Sequence, residues 1–258
     1  MSGSKLKIEN RRMRIQELLQ SCGRVTVAQL SEALQVTTVT IRNDLAALES
    51  EGCLLRVQGG AISLPGAAVE QVNSSGFDTC GGYKRAIGEA VAKMVCDGDT
   101  LFINSGTTSE HIAEALSVRK NLNVLTNSLQ VASKMGAVPT FRVLLVGGEI
   151  NAQYLFTHGG DAQEQLGKYQ ADWAFLSVDG VSAWGGITTH HAEEAIIDRM
   201  MAAGAKNIVI AADQRKIGRA GFSRVCNCDV DLKLVTNPGC DAKAIQEIAE
   251  SGVQVIYA

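Results

Sequence analysis

The sequence predicts an α/β protein in two parts. A small winged helix-turn-helix domain is expected over residues 6–64, and a larger α/β domain with a mainly parallel sheet over 84–258. Three observations carry this. Short amphipathic helices crowd the first 50 residues with almost no chain between them, a glycine-turned hairpin follows, and from Lys84 onward apolar strand-like runs alternate with helical ones.

In the N-terminal part, Ile8, Ile15, Leu18 and Leu19 mark the apolar stripe of a first helix. Thr26-Val-Ala-Gln29 is a capping box, opening a second helix with Leu30, Ala33 and Leu34 facing inward. After the tight link Gln35-Val36 comes Thr37–Ser50, with Ile41, Leu45 and Leu48 on its inner stripe. Its other side carries Val39, Arg42, Asn43, Ala46 and Ala47, with Thr40 on the flank and Thr37 and Thr38 at the entry. Hydrogen-bonding groups near the N-terminal end and small residues behind them suit a helix that settles into a major groove roughly 12 Å wide. Alone, the same face would serve as an ordinary solvated one. Gly52 sits where a helix ends, and Leu54–Val57 and Ala61–Leu64 flank Gln58-Gly59-Gly60 as the two strands of a wing. Arg56, Gln58 and Gly59 near its tip would face phosphate or minor-groove edges, unless the hairpin only closes the core.

Length and composition bound the rest. A chain of 258 residues that is 46% hydrophobic can bury two cores. Residues 1–62 hold eight Lys or Arg against six Asp or Glu, leaving sixteen against twenty-one for the remainder. The basic excess therefore sits with the expected reader, and a pI near 5.8 argues against nonspecific coating of nucleic acid. Seven cysteines without regular pairing, and no apolar signal segment, predict a reducing cytoplasm. Cys226-Asn-Cys228 lacks a partner pair at ligand spacing, so no metal or other cofactor is expected. The absence of a run of about 18 apolar residues argues against a membrane span.

Residues 65–83 read as a linker of small and polar residues. Beyond it, a helix is expected from Lys84 to Val95. Strands are expected at 100–104, 123–126, 142–146, 174–177, 207–211 and 232–236, and helices at 129–135, 192–203 and 241–251. The strand ends carry the polar residues: Ser105-Gly106-Thr107-Thr108-Ser109, Asn127-Ser128, Gly147-Gly148, Asp179-Gly180, Asp213 and Asn237. In an open α/β sheet these ends gather the ligand crevice. Ser105–Ser109 runs from strand into helix through hydroxyls and one glycine, so its amides suit a phosphate, although such a turn equally serves to cap the helix. Lys216 would supply a charge to the same anion, or simply lie in solvent.

Thr40-Ile-Arg-Asn-Asp-Leu45, then Leu48-Glu49 and Arg56-Val-Gln-Gly-Gly-Ala61, resemble the DeoR family of bacterial sugar-regulon repressors, and the resemblance runs through nearly the whole chain. It implies an operator-binding reader and a second domain related in fold to ribose-5-phosphate isomerases. That domain would bind a phosphorylated sugar or sugar alcohol through Ser105–Thr108, Asn127-Ser128, Gly147-Gly148, Asp179-Gly180 and Lys216. This chain has Asn43 where the family usually has a second arginine, Gln58 for a frequent histidine, and Asn104 and Asn237 for frequent aspartates. An asparagine pairs with adenine where an arginine prefers guanine, so Asn43 would read a different base or none.

An isomerase with an attached reader is the competing expectation. Isomerases of this fold carry a second carboxylate and a lysine where this chain has Asp179-Gly-Val-Ser182 and Trp184, so no catalytic residue is assigned. Glu193 or Glu194 would serve instead as an acceptor for sugar hydroxyls, or simply as a surface charge. The expected protein is thus a cytoplasmic repressor, a dimer or tetramer, whose inducer shifts the population away from the DNA-competent state.

Overall fold

The computed structural model describes residues 8, 11–19, 24–50, 53–57, 59–63, 81–152, 154–229 and 231–258. Gly52, Gln58 and most of the expected linker lie outside them. The chain divides into two compact units, Met1–Gly81 and Gly82–Ala258.

The first unit runs α1 (11–19), β1 (Arg24–Thr26), α2 (Val27–Ala33), α3 (Thr38–Ser50), β2 (Leu54–Val57) and β3 (Gly60–Ser63). Ile15, Leu19, Leu30, Ile41, Leu45, Leu48 and Leu54 form its core, with Leu18 and Leu34 packed against it, so the inner stripes largely face one another; Ala33, expected to face inward, is instead exposed as the last residue of α2. The capping box is present: Gln29 N donates to Thr26 Oγ1 at 3.2 Å and Thr26 N to Gln29 Oε1 at 3.0 Å. Strand β1 is not among the expected elements, because one apolar residue between two polar ones is too short a run to establish a period. It pairs antiparallel with β3 through Val25 and Ala61, making the wing a three-stranded sheet in the order β1-β3-β2. Gly59, at φ +82°, turns the hairpin, and its carbonyl accepts from Val27 N at 2.8 Å, tying the turn to α2.

The second unit opens with α4 (Gly81–Ala92), three residues earlier than the spacing predicts. It continues through β4 (Thr100–Ile103), α5 (Thr107–Leu116), β5 (Asn123–Thr126), α6 (Leu129–Gly136), β6 (Arg142–Leu145), β7 (Glu149–Asn151), β8 (Phe156–His158), α7 (Gly160–Leu166) and β9 (Ala171–Ser177). Next come β10 (Gly180–Ser182), β11 (Gly186–Thr189), α8 (Ala192–Ala203), β12 (Ala205–Ala211), β13 (Ser223–Cys226), β14 (Leu232–Thr236), α9 (Ala242–Glu250) and β15 (Gln254–Tyr257).

Seven strands form one wholly parallel sheet in the order β15-β14-β12-β9-β4-β5-β6. Alternate residues along a strand point to opposite faces. Leu101 and Ile103 accordingly pack with Ile87, Val91, Ile112 and Val131, while Phe102 between them packs on the other face with Leu166, Ile197 and Met201. Both faces are covered by helices, each fully buried large side chain contributing about 1.5–3 kcal/mol.

Three features escaped the sequence pattern: the seventh strand β15, helix α7, and two small antiparallel sheets, β7-β8 and β10-β11-β13. The small sheets are built from strands of three or four residues with mixed composition, which carry no distinct period, and α7 buries only Ala162 and Leu166.

Candidate functional site

Helix α3 presents Thr38, Val39, Arg42 and Asn43 to solvent, with Ala46 and Ala47 half-buried behind them. Thr37 caps the helix, accepting from Thr40 N at 3.2 Å, and its hydroxyl lies 3.0 Å from that of Thr40. These two hydroxyls are thus engaged with each other. Asp44 is buried and receives Arg11 Nε at 2.5 Å, Arg11 Nη2 at 3.2 Å and Arg12 Nε at 3.4 Å, so α1 clamps the back of α3. This anchor is not local: the partners of Asp44 stand 32 and 33 residues away. Arg56 turns back toward α3, where its amide donates to Glu49 Oε1 at 3.1 Å and its guanidinium lies 3.7 Å from Glu49 Oε2.

In the larger unit the strand order reverses between β4 and β9: the chain moves outward through β5 and β6, then returns to build β9, β12, β14 and β15 on the other side. That switch point is where an open parallel sheet leaves a crevice at its C-terminal ends. Ser105–Ser109 follows β4 there, and Asp179 follows β9.

Gly106, at φ +118°, lets the chain pass from strand to helix, and a Cβ on it would lie 2.9 Å from Ser177 Oγ. The first backbone bond of α5 is Glu110 N to Gly106 O, leaving the amides of Thr107, Thr108 and Ser109 outside the helical ladder, where the helix dipole favours an anion. Lys84 of α4 is only 4% exposed, and its Nζ lies 2.6 Å from Thr107 Oγ1. Sequence reasoning missed this lysine. The signal was its register, for Lys84 falls on the same stripe as buried Ile87 and Val91.

Acidic residues face this turn from α8 and from the link between β9 and β10. Ser105 Oγ donates to Glu194 Oε1 at 3.0 Å; Thr189 Oγ1 bonds Glu194 Oε2 and lies 3.2 Å from Asp179 Oδ2. Lys216 Nζ donates to Asp179 Oδ1 at 2.8 Å. Burial pulls the Asp179 carboxyl upward, but the charge and hydrogen bond of Lys216 outweigh it and hold Asp179 below its ordinary value. Glu194 is raised, mainly by burial. Asp213 is held low by Arg215 against its own burial.

Behind Ser105 lies a buried polar knot. Asn104 Nδ2 donates to Ser177 O at 2.9 Å and Asp198 Oδ1 at 3.0 Å, while its Oδ1 accepts from Ser109 Oγ and Ser177 N, each at 2.8 Å.

The strand ends thus bring Ser105, Thr107, Asp179 and Lys216 to one side, joined through Lys84, Thr189 and Glu194. Among the described residues Lys216 is bonded to Asp179 and not to the Ser105–Ser109 turn. Asn127 and Ser128 sit one strand along. Ser128 caps α6 through Val131 N at 3.3 Å, whereas Asn127 Oδ1 is buried without a partner among the described residues. Gly147-Gly148 joins β6 to β7, one strand further, with Gly147 N donating to Gln165 Oε1 at 3.0 Å. Gly180 is buried at the start of β10 and Thr108 is buried in the first turn of α5. No group of three His, Cys, Asp or Glu side chains among the described residues would hold a metal ion.

Comparison with known proteins gives this arrangement a family. The DeoR-like helix-turn-helix domain matches residues 11–65, and the DeoR C terminal sensor domain matches residues 81–237. A putative aga operon transcriptional repressor of Escherichia coli O157:H7 is 30% identical over 250 residues, 95% of this chain and 92% of its own. The HTH-type transcriptional repressor GlcR of Bacillus subtilis (strain 168) is 32% identical over 231 residues, 89% of this chain and 88% of its own. The glycerol-3-phosphate regulon repressor of Escherichia coli (strain K12) is 30% identical over 250 residues, 97% and 99% of the two chains. Among solved structures, ribose 5 phosphate isomerase A from Neisseria gonorrhoeae matches at a TM-score of 0.39 and 15% identity, over 55% of this chain and 54% of that one. With a helix-turn-helix domain and a sensor domain each matched in place, the chain belongs to the DeoR family of transcriptional regulators.

Proposed function

We propose that this chain is a cytoplasmic repressor of a carbohydrate-utilisation operon. It binds operator DNA as a symmetric oligomer through residues 6–64 and is released when a phosphorylated sugar or sugar alcohol binds in the crevice of residues 84–258. The observation that carries the effector reading is the buried Lys84 ammonium, 2.6 Å from Thr107 Oγ1 at the N-terminus of α5. A buried cation beside amides outside the helical ladder suits a phosphate, which would gain charge-assisted hydrogen bonds from both.

The rest of the ligand would lie toward Glu194 and Asp179, carboxylates that accept hydrogen bonds from sugar hydroxyls. Relatives named for an aga operon and a glycerol-3-phosphate regulon support a carbohydrate context. The effector is sensed and not converted, since Asp179 is paired with Lys216 and the run Asp179-Gly-Val-Ser182 carries no second carboxylate. On the DNA side, Thr38, Arg42 and Asn43 would meet base edges and phosphates. Thr37 and Thr40 would shape the helix entry, and Arg56, Gln58 and Gly59 would lie along the backbone.

A thermal-shift panel of sugar phosphates, paired with release of selected operator DNA, tests this. A cognate ligand at about 100 times its dissociation constant adds roughly 2.7 kcal/mol of stability. An effector that works equally well without its phosphate would refute the anion-binding assignment.

A further inference from the structure

Val39 is 61% exposed in the first turn of α3. It makes no contribution to the core of its unit, whose residues lie on the opposite stripe. A β-branched residue at an exposed helical position is also a poorer helix former than the alanines that follow. Residues 39, 42, 43 and 46 recur at i, i+3, i+4 and i+7, so Val39, Arg42, Asn43 and Ala46 line one outward stripe. The chemistry of that stripe is mixed: a guanidinium suited to guanine, a carboxamide suited to adenine, and one branched apolar group.

Resting on the proposed role of α3 as the reader, we infer that Val39 is a specificity-determining residue, which packs its methyl groups against the C5-methyl of a thymine in the major groove. That methyl is the apolar feature of a base edge in this groove, and base-contacting residues cluster at the N-terminal end of a recognition helix, where Val39 lies. A short side chain reaches a base only if the helix sits deep. Ala46 behind it on the same stripe, with Ala47 beside it, permits that. Thr38 is exposed next to Val39 but lies about 100° round the helix, off the stripe.

The experiment uses the full-length protein and a binding site selected from random duplexes. Each thymine of the site is replaced in turn by deoxyuridine, which deletes only the methyl group, and affinities are measured for wild type, Val39→Ala and Thr38→Ser. Expected is a thymine in each half-site whose methyl deletion costs the wild type about fourfold and the Val39→Ala protein nothing, with Val39→Ala losing a similar factor on the unmodified site. Because Val39 is solvent-exposed and alanine is the better helix former, the variant should melt no lower than the wild type. The inference is overturned if no thymine behaves in this way, or if Thr38→Ser and not Val39→Ala abolishes the sensitivity. Loss of binding in Arg42→Ala and Asn43→Ala shows separately that α3 reads DNA. Unchanged binding in both would bring down the reader assignment itself and this inference with it.

Discussion

Asn104 Nδ2 lies 3.0 Å from Asp198 Oδ1, and neither side chain has any exposed surface. Asp198 Oδ2 has no partner among the described residues. Burial, reinforced by the charge of Glu194 one helical turn away, pushes the Asp198 carboxyl well above its ordinary value. Between the usual aspartate pKa, about 3.9, and that raised value the unfolded chain gives up a proton that the folded chain keeps. Stability from this group is therefore full below the unfolded pKa and is lost as pH rises toward the folded one.

Asp198→Asn removes the titration while keeping an acceptor for Asn104. The variant should gain on the wild type as pH rises from about 4 to about 7. Urea denaturation of both proteins across that range checks it, and parallel pH profiles would count against a protonated Asp198. Asn104→Asp should do the reverse, since it replaces a donor by a second carboxyl facing the first.

In the reader, Asp44 holds Arg11 and Arg12 of α1 against α3. Removing one partner of a buried pair leaves the other uncompensated. Arg11 keeps 20% of its side chain exposed, which moderates the cost of Asp44→Ala to roughly 2–3 kcal/mol. Amide hydrogen exchange on the full chain should quicken in α1 and α3 and stay unchanged in α4 to β15. Equal acceleration throughout would show that the pair does not act locally.

Apolar periodicity made the architecture legible, because a stripe at period 3.6 or a run of four buried residues is written into the composition of each element. The inner stripe Ile41, Leu45 and Leu48 and the alternation along Leu101, Phe102 and Ile103 are of that kind. Strand β15 and helix α7 were not, since β15 is a half-exposed edge strand and α7 buries only Ala162 and Leu166 among polar residues. The crevice was half legible. Polar residues ending strands could be named, but the strand order that places β4 beside β9 is a long-range property with no local trace. Lys84 and Asp198 were readable in principle: each is a charged residue in register with buried apolar ones, where burial must be offset by a partner. Hydroxyls were the least legible, because Ser128 caps a helix while Ser105 holds Glu194, and the two look alike in sequence.

Lys84 and Lys216 should differ in their effect on the sensor. Lys84→Met removes the cation beside Thr107 and should weaken a phosphorylated effector by about 10- to 150-fold, as loss of a hydrogen bond to a charged group does. Lys216→Ala instead frees Asp179, so a weaker effect is expected, together with a rise in the Asp179 pKa. Gly106→Val should abolish the response outright, since its Cβ would press on Ser177 and its φ of +118° is strained for any side chain. All three should still bind operator DNA. Calorimetric titration with the effector found by the panel separates them, and equal losses for both lysines would argue against a distinct anion site at Lys84.

Turnover of the effector is not expected. Moving a proton between adjacent sugar carbons needs a carboxylate free to take it and a donor to stabilise the charge that develops. Asp179 is occupied by Lys216, and Asp198 has no exposed surface for a substrate to reach. A bound sugar could displace the hydroxyls of Ser105 and Thr189 with its own, so Glu194→Gln should weaken binding while leaving no activity to lose. Proton NMR of each sugar phosphate incubated with protein in heavy water would detect exchange at the carbon-bound position even where net conversion is small. No exchange above the uncatalysed rate is expected. Exchange that disappears in Glu194→Gln or Asp179→Asn would make the crevice an active site and the chain an enzyme carrying a DNA reader.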